Sequence, residues 1–178
     1  MNHYRVPAED IAFVLIDVLQ APRQLAALPP MGDADEPLMR QLLDEMARFI
    51  DGQIAPLNRI GDEVGARWQD GAVTMPPGFR DAYQAFWQAG WPALSAAPED
   101  GGQGLPAALD AALYESLSAA NHGWTMAPGL LHGAYECLKH HGSDALKAQY
   151  LSKIATGEWL ATMCLTEPHA GSDLGLCT

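Results

Sequence analysis

Trp159-Leu160-Ala161-Thr162-Met163-Cys164-Leu165-Thr166-Glu167-Pro168-His169-Ala170-Gly171-Ser172-Asp173 reads as an apolar strand running into a turn of small and hydroxylated residues. Before Gly157 the hydrophobic period is helical; from Trp159 to Thr166 it is extended. Pro168 ends the strand, because it removes a ladder donor and fixes the turn. His169-Ala170-Gly171-Ser172 is small enough for a flat or phosphorylated ligand to approach the backbone. Thr166 and Ser172 offer hydroxyls that can donate to a carbonyl or phosphate oxygen. Turn chemistry alone accounts equally well for Pro, Gly, Ser and Asp in this stretch.

Working back from this segment, the chain is helical. Ser143 caps a helix over Asp144 to about Ala155, ended by Gly157, and another helix spans Pro128 to His141 with Gly142 as its stop. From Pro106, the residues Leu109, Ala112, Leu113, Ser116, Leu117 and Ala120 trace one apolar stripe. The glycine cluster in Trp91 to Gly104 makes a loop. Phe79 to Ala89 is a helix with Tyr83, Phe86 and Trp87 inward, and Gly90 suits a left-handed cap. Gly61, Gly65, Gly71 and Pro76-Pro77-Gly78 predict an exposed loop. Pro37 opens a helix whose face is Leu38, Leu42, Leu43, Met46, Phe49 and Ile50. Ile11, Val14, Leu15 and Val18 mark a first helix, capped at Asp10 or earlier and followed by Pro22. Ala21 to Asp35 then reads as a turn-like connector. The expected fold is an all-α helical bundle: residues 1–36 an extension helix and connector, 37–157 the bundle, and 158–178 the first strand and loop of something further.

The 178 residues are 48% hydrophobic and 18% charged, an ordinary globule that buries about 70% of its unfolded surface. A formal charge of −12 argues against nucleic acid and anionic membrane as partners. No apolar run is long enough to span a bilayer, and no basic segment with a cleavage site marks a signal peptide. Cys137, Cys164 and Cys177 are odd in number and not motif-spaced, as free thiols in a reducing cytoplasm would be. His122, His132 and His140-His141 lack the carboxylate or cysteine spacing of a metal site. Glu99-Asp100 reads as a helix terminator and Glu167 as a structural anchor. The tryptophans are core and loop packing.

Met163-Cys164-Leu165-Thr166-Glu167-Pro168-His169-Ala170-Gly171-Ser172-Asp173 resembles the first signature of the acyl-CoA dehydrogenase family. Gly90-Trp91-Pro92, Pro98-Glu99-Asp100-Gly101-Gly102-Gln103-Gly104, Glu115, Gly142-Ser143, Lys147, Tyr150-Leu151 and Gly157-Glu158 resemble its upstream elements in the same order. Tyr4, Pro7, Asp10, Phe13 and Leu15 resemble the extra segment of long bacterial members, the group that includes 3-methylmercaptopropionyl-CoA dehydrogenase-like proteins.

The resemblance implies an N-terminal α-domain followed by a middle β-domain and a C-terminal helical domain. It also implies FAD as cofactor, α,β-dehydrogenation of an acyl-CoA, and an electron-transfer flavoprotein as acceptor. It places Met163, Leu165 and Thr166 along the flavin ring, Gly171 and Ser172 at the FAD pyrophosphate, and Ser172 beside the acyl-CoA. Trp124 and Met126 would line an acyl channel. His169 stands where the family commonly has glycine, and Met163 where an aromatic is frequent. The family's catalytic base lies in the C-terminal domain, so no catalytic residue is assigned here.

The expectation is therefore the N-terminal portion of such an enzyme, cytoplasmic and homo-oligomeric as a whole and inactive as this chain alone. The alternatives are a non-catalytic helical interaction module and an acyl-CoA oxidase or flavin monooxygenase relative. One strand cannot form a sheet, so Trp159 to Thr166 is expected disordered, helically repacked or paired with another chain.

Overall fold

The computed structural model describes residues 4–28 and 34–176. Helix α1 (Ala8–Ala12) starts after Pro7 and continues as a wider π-helical turn over Phe13–Val18, burying Ala12 and Ile16. The N-cap position falls to Pro7, earlier than Asp10, with no side-chain hydrogen bond to the first turn; the acidic Glu9 and Asp10 inside that turn complement the helix dipole. The Val6 amide donates to Asp51 Oδ1 at 2.9 Å, and Arg5 approaches the same carboxylate at 3.8 Å. Val6, Ala12 and Ile16 thereby join the main buried cluster. Pro22 opens a short helix α2 (Ala21–Leu25) where a turn was expected. A first-turn proline has no amide hydrogen to waste there, and its φ is already helical.

Asp35 caps α3 (Glu36–Phe49), its carboxylate accepting from the Leu38 amide at 2.9 Å. The buried stripe is Met39, Leu43 and Met46, prolonged by Ile50 and Ile54 in a π-helical turn (Ile50–Ile54). Leu38, Leu42 and Phe49 flank this stripe, and Met39 is its missing member in the sequence reading.

The expected loop after Pro56 is instead helix α4 (Leu57–Val64) and a hairpin of β1 (Arg67–Gln69) and β2 (Ala72–Thr74). The strands pair antiparallel, with Trp68 opposite Val73. Asp70 (φ 52) and Gly71 (φ 82) both adopt positive φ, as the tight hairpin turn demands. That Asp-Gly pair between Arg67-Trp68-Gln69 and Ala72-Val73-Thr74 was the overlooked signal. This hairpin is the only laddered sheet among the described residues.

Helix α5 (Phe79–Gln88) ends at left-handed Gly90 as expected (φ 79). Its Phe86 is fully buried. The Trp124 ring meets it edge-on at 5.4 Å, and Phe49 lies at 6.1 Å. Helix α6 (Ala107–Thr125) buries the whole expected stripe. Near its end Asn121 leaves helical geometry (φ −159, ψ 83). The break is stabilised locally: Asn121 Oδ1 accepts from the Trp124 amide at 3.0 Å, and the Thr125 hydroxyl donates to the Asn121 carbonyl at 2.9 Å.

A 3-10 turn (Pro128–Leu130) leads into α7 (Leu131–His141). Ser143 then caps α8 (Asp144–Leu146), which runs through a π-helical turn (Lys147–Leu151) into α9 (Ser152–Ala155). Ala96, Tyr135, Leu151 and Ala155 form a second buried cluster under this last layer. At Gly157 (φ 78) a Cβ would meet the Pro92 ring at 2.6 Å, so the chain can leave α9 here only as glycine.

Beyond Gly157 the expected strand is absent. Residues 160–166 form neither helix nor ladder, and only a Glu167–Ala170 bridge and a 3-10 turn (Leu174–Leu176) follow. The physical reason is the one anticipated: a strand needs a neighbour to hydrogen-bond, and among the described residues none lies beside it. The segment is moored at its start, where Trp159 donates its amide to the Lys153 carbonyl at 3.0 Å and its ring lies 6.0 Å from that of Tyr150. Lys153 also grips Glu158 at 2.6 Å.

Candidate cofactor site

The segment after Gly157 lies along a groove of about 790 Å³ walled by α7 and the α8–α9 layer, with Leu138, Leu146, Tyr150 and Ile154 among its lining. Met163 and Leu165 both line it. They remain 67% and 46% exposed, so the groove leaves one side of each open. Thr166, Gly171 and Ser172 sit outside it, on the exposed turn. Among the described residues the Thr166 and Ser172 hydroxyls have no hydrogen-bond partner, and a Cβ on Gly171 would meet nothing within 4 Å. Nothing inside the described chain therefore requires a glycine at 171 or hydroxyls at 166 and 172. The expected residues thus fall into two groups, Met163 and Leu165 on an apolar wall and Thr166, Gly171 and Ser172 on a polar turn.

The wall is held by a polar clasp whose partners the sequence reading did not connect. Tyr135 on α7 accepts from the Ala97 amide at 3.1 Å and donates to Asp100 Oδ2 at 2.8 Å. Lys139, one turn along, reaches Asp100 at 2.8 Å and Glu99 at 3.3 Å. Burial by itself would raise the Asp100 carboxyl, but hydrogen bonds from Lys139 and Tyr135, with the Lys139 charge, hold it below the ordinary carboxylate range. The hydrogen bond to Asp100, then that to Tyr135, raise the Lys139 ammonium. Glu99-Asp100 is thus one half of an interhelical tie. The (i, i+4) pair of Tyr135 and Lys139 on a predicted helix was the available hint.

The loop carrying Asp100 is itself fixed by backbone bonds, Gln103 N to Ala93 O at 2.8 Å, Gly104 N to Ala96 O at 2.9 Å and Leu105 N to Leu94 O at 2.8 Å. Beside it, Asp110 on α6 is buried; it accepts from the Ser95 hydroxyl at 3.1 Å and faces His132 Nδ1 at 3.9 Å, while its Oδ1 has no partner among the described residues. Desolvation raises this carboxyl, more than Ser95 and His132 lower it.

A second groove, of about 530 Å³, is lined by the Val73–Arg80 segment, Tyr83, Trp124 and Leu160. Trp124 is chiefly a core residue, its Nε1 donating to the Phe79 carbonyl at 3.2 Å, and one edge reaches this groove. Met126 is 55% exposed and lines neither groove, so the structure does not place it in a channel. Among the described residues no three His, Cys, Asp or Glu side chains are grouped to hold a metal, and no helix is long and apolar enough to cross a membrane. Cys137 and Cys164 are free and exposed; Cys177 lies outside the described residues.

Residues 37–158 match the family model described as acyl-CoA dehydrogenase, N-terminal domain. The chain belongs to the acyl-CoA dehydrogenase family. It is 43% identical over 171 residues to a 3-methylmercaptopropionyl-CoA dehydrogenase of Ruegeria pomeroyi, an alignment covering 96% of this chain and 29% of the relative. A broad-specificity linear acyl-CoA dehydrogenase of Mycobacterium tuberculosis is 32% identical over 178 residues, 98% of this chain and 28% of that protein. The human mitochondrial very long-chain specific acyl-CoA dehydrogenase is 31% identical over 137 residues, 74% of this chain and 20% of the enzyme. The chain thus spans less than a third of the length of these relatives.

Proposed function

We propose that these 178 residues contribute the N-terminal helical part of an FAD-dependent acyl-CoA dehydrogenase. The observation that carries the reading is the family match over 37–158 continuing into a segment that lays Met163 and Leu165 on an apolar wall. The residues fit a flavin in kind: an apolar wall for a flat ring, and free hydroxyls and an open glycine for polar and phosphate oxygens. Bound FAD supplies the hydride acceptor for α,β-dehydrogenation of an acyl-CoA thioester. In this reading Met163 and Leu165 pack along the ring, the Thr166 hydroxyl donates to its polar edge, and Gly171 and Ser172 approach the pyrophosphate, with Ser172 also beside the acyl-CoA. Tyr135, Lys139 and Asp100 position the α7 wall. Removal of the α-proton is assigned to no residue of this chain. An electron-transfer flavoprotein is the acceptor, the whole enzyme is a cytoplasmic homo-oligomer, and its substrate is an acyl-CoA.

By itself the chain binds FAD weakly or not at all, because the residues assigned to the cofactor are open on one side. The test is to add FAD and a saturated acyl-CoA to the purified chain and follow flavin absorbance. No bleaching and little change in flavin fluorescence are expected. Clear substrate-dependent bleaching would overturn the inactivity of the chain alone.

A further inference from the structure

Asp110 is a buried titratable group that the proposed function leaves unused. It lies in the first turn of α6 with its side chain 11% exposed. Its Oδ2 accepts from the Ser95 hydroxyl, and its Oδ1 has no partner among the described residues. A buried carboxylate with an orphaned oxygen is costly unless a cation faces it. Among the described residues no lysine or arginine pairs with Asp110; the group that faces it is His132 on α7, with Nδ1 3.9 Å from Oδ2.

We infer that Asp110 and His132 form a proton-dependent latch between α6 and α7, closed while the pair keeps one proton and loosened once that proton is lost. A single proton suits the pair in either place, as imidazolium against carboxylate or as carboxyl against neutral imidazole. Its removal leaves a buried carboxylate facing an uncharged ring. Burial, which favours the protonated carboxyl, acts in the same sense. Histidine side chains ordinarily change charge between about pH 5 and 8, so the latch loosens as pH rises through that range. The loss belongs to the pair and not to either residue alone.

The surroundings supply no other charge to the pair. On α6, Tyr114 faces Asp110; burial, then Asp110, raise its phenol, which stays neutral and donates to the Pro128 carbonyl at 3.1 Å. Around His132, Pro92, Leu131, Ile154 and Ala155 are apolar, and the Tyr135 hydroxyl is taken by Ala97 and Asp100. Glu136, the next turn of α7, pairs with His140 at 3.1 Å, and Lys139 pairs with Glu99 and Asp100. His132 and Tyr135, one turn apart on α7, thus meet the same loop, one through Asp110 and Ser95 and the other directly. The Asp100 carboxyl is depressed and the Lys139 ammonium raised, so that clasp stays charged while the latch titrates. Because α7 walls the larger groove, the firmness of that wall becomes a function of pH.

The test needs no flavin, so its failure and that of the proposed function are distinguishable. Hydrogen exchange of the full chain is measured at about pH 6 and about pH 8, on either side of the latch, and corrected for the intrinsic pH dependence of exchange. Amides of α7 are expected to lose about two- to fivefold of their protection at the higher pH, relative to those of α3. Asp110→Asn removes the buried charge and is expected to hold the higher protection at both pH values. His132→Gln removes the counter-charge and is expected to show the lower protection at both. The His132 side chain is half exposed, so this variant keeps the parent's helical circular dichroism. His140→Gln, on the same helix, is expected to respond as the parent does. Equal α7 protection at the two pH values in the parent would overturn the inference. So would a response that survives Asp110→Asn or His132→Gln, or one abolished by His140→Gln.

Discussion

Gly102→Ala tests the loop that holds the α7 wall. A Cβ at position 102 would overlap the Ala96 carbonyl, a backbone group that cannot swing aside as a side chain does. The two strands of the loop must therefore separate. Separation strains the bonds from Gly102 N to Ala97 O, Gln103 N to Ala93 O and Gly104 N to Ala96 O. At about 0.5–1.5 kcal/mol net for each bond, losing all three costs roughly 1.5–4.5 kcal/mol. For a chain of this size that corresponds to a fall in Tm of about 3–18 °C. Gly52→Ala is the matched control. Gly52 lies in a helical turn, has no positive φ, and a Cβ there meets nothing within 4 Å. Removing its extra unfolded-state freedom is expected to raise stability by about 0.4–1 kcal/mol. The assay is urea unfolding of both variants, followed by far-UV circular dichroism and tryptophan fluorescence. The reasoning fails if Gly102→Ala unfolds within about 0.5 kcal/mol of the parent, or if the two glycines respond alike.

Three further outcomes follow from the same geometry. Tyr135→Phe removes the phenol shared by the Ala97 amide and Asp100 and is expected to cost about 1–3 kcal/mol in urea unfolding. The Asp100 carboxyl is depressed in the fold, so the stability it contributes is present above its ordinary pKa near 4 and lost as pH falls through the folded value. Asp100→Asn is accordingly expected to flatten the acid limb of Tm against pH below about pH 4. Asp110 runs the other way: its raised carboxyl favours the protonated form, so stability is fuller below its ordinary pKa and declines as pH rises through the folded value. Asp110→Asn is expected to remove that decline, and a Tm-against-pH curve just above pH 4 unchanged from the parent would refute it.

Much of this molecule was legible in its sequence, element by element. The α6 stripe from Leu109 to Ala120 was readable because a 3.6-residue period survives any tertiary setting. Gly90 and Gly157 were readable as stops because left-handed φ selects glycine locally. The hairpin at Arg67–Thr74 was missed because short strands with both faces exposed carry little hydrophobic alternation, and the Asp70-Gly71 turn was the lone signal. At Trp159 to Thr166 the extended pattern was read together with its need for a neighbouring strand, and residues 160–166 form no ladder among the described residues.

The sequence by itself determined the longer helices α3, α5, α6 and α7, the stops at Gly90 and Gly157, the cap at Ser143 and the family, since these rest on local periodicity, local backbone preference and ordered motifs. Only the tertiary structure decided that Tyr135 and Lys139 tie α7 to Asp100, and that Met163 and Leu165 lie on the groove while Thr166, Gly171 and Ser172 stay outside it. The clasp joins residues 35 and 39 positions apart, and the groove sets residues 161–165 against α7. Such pairings depend on how helices pack, which no local preference encodes.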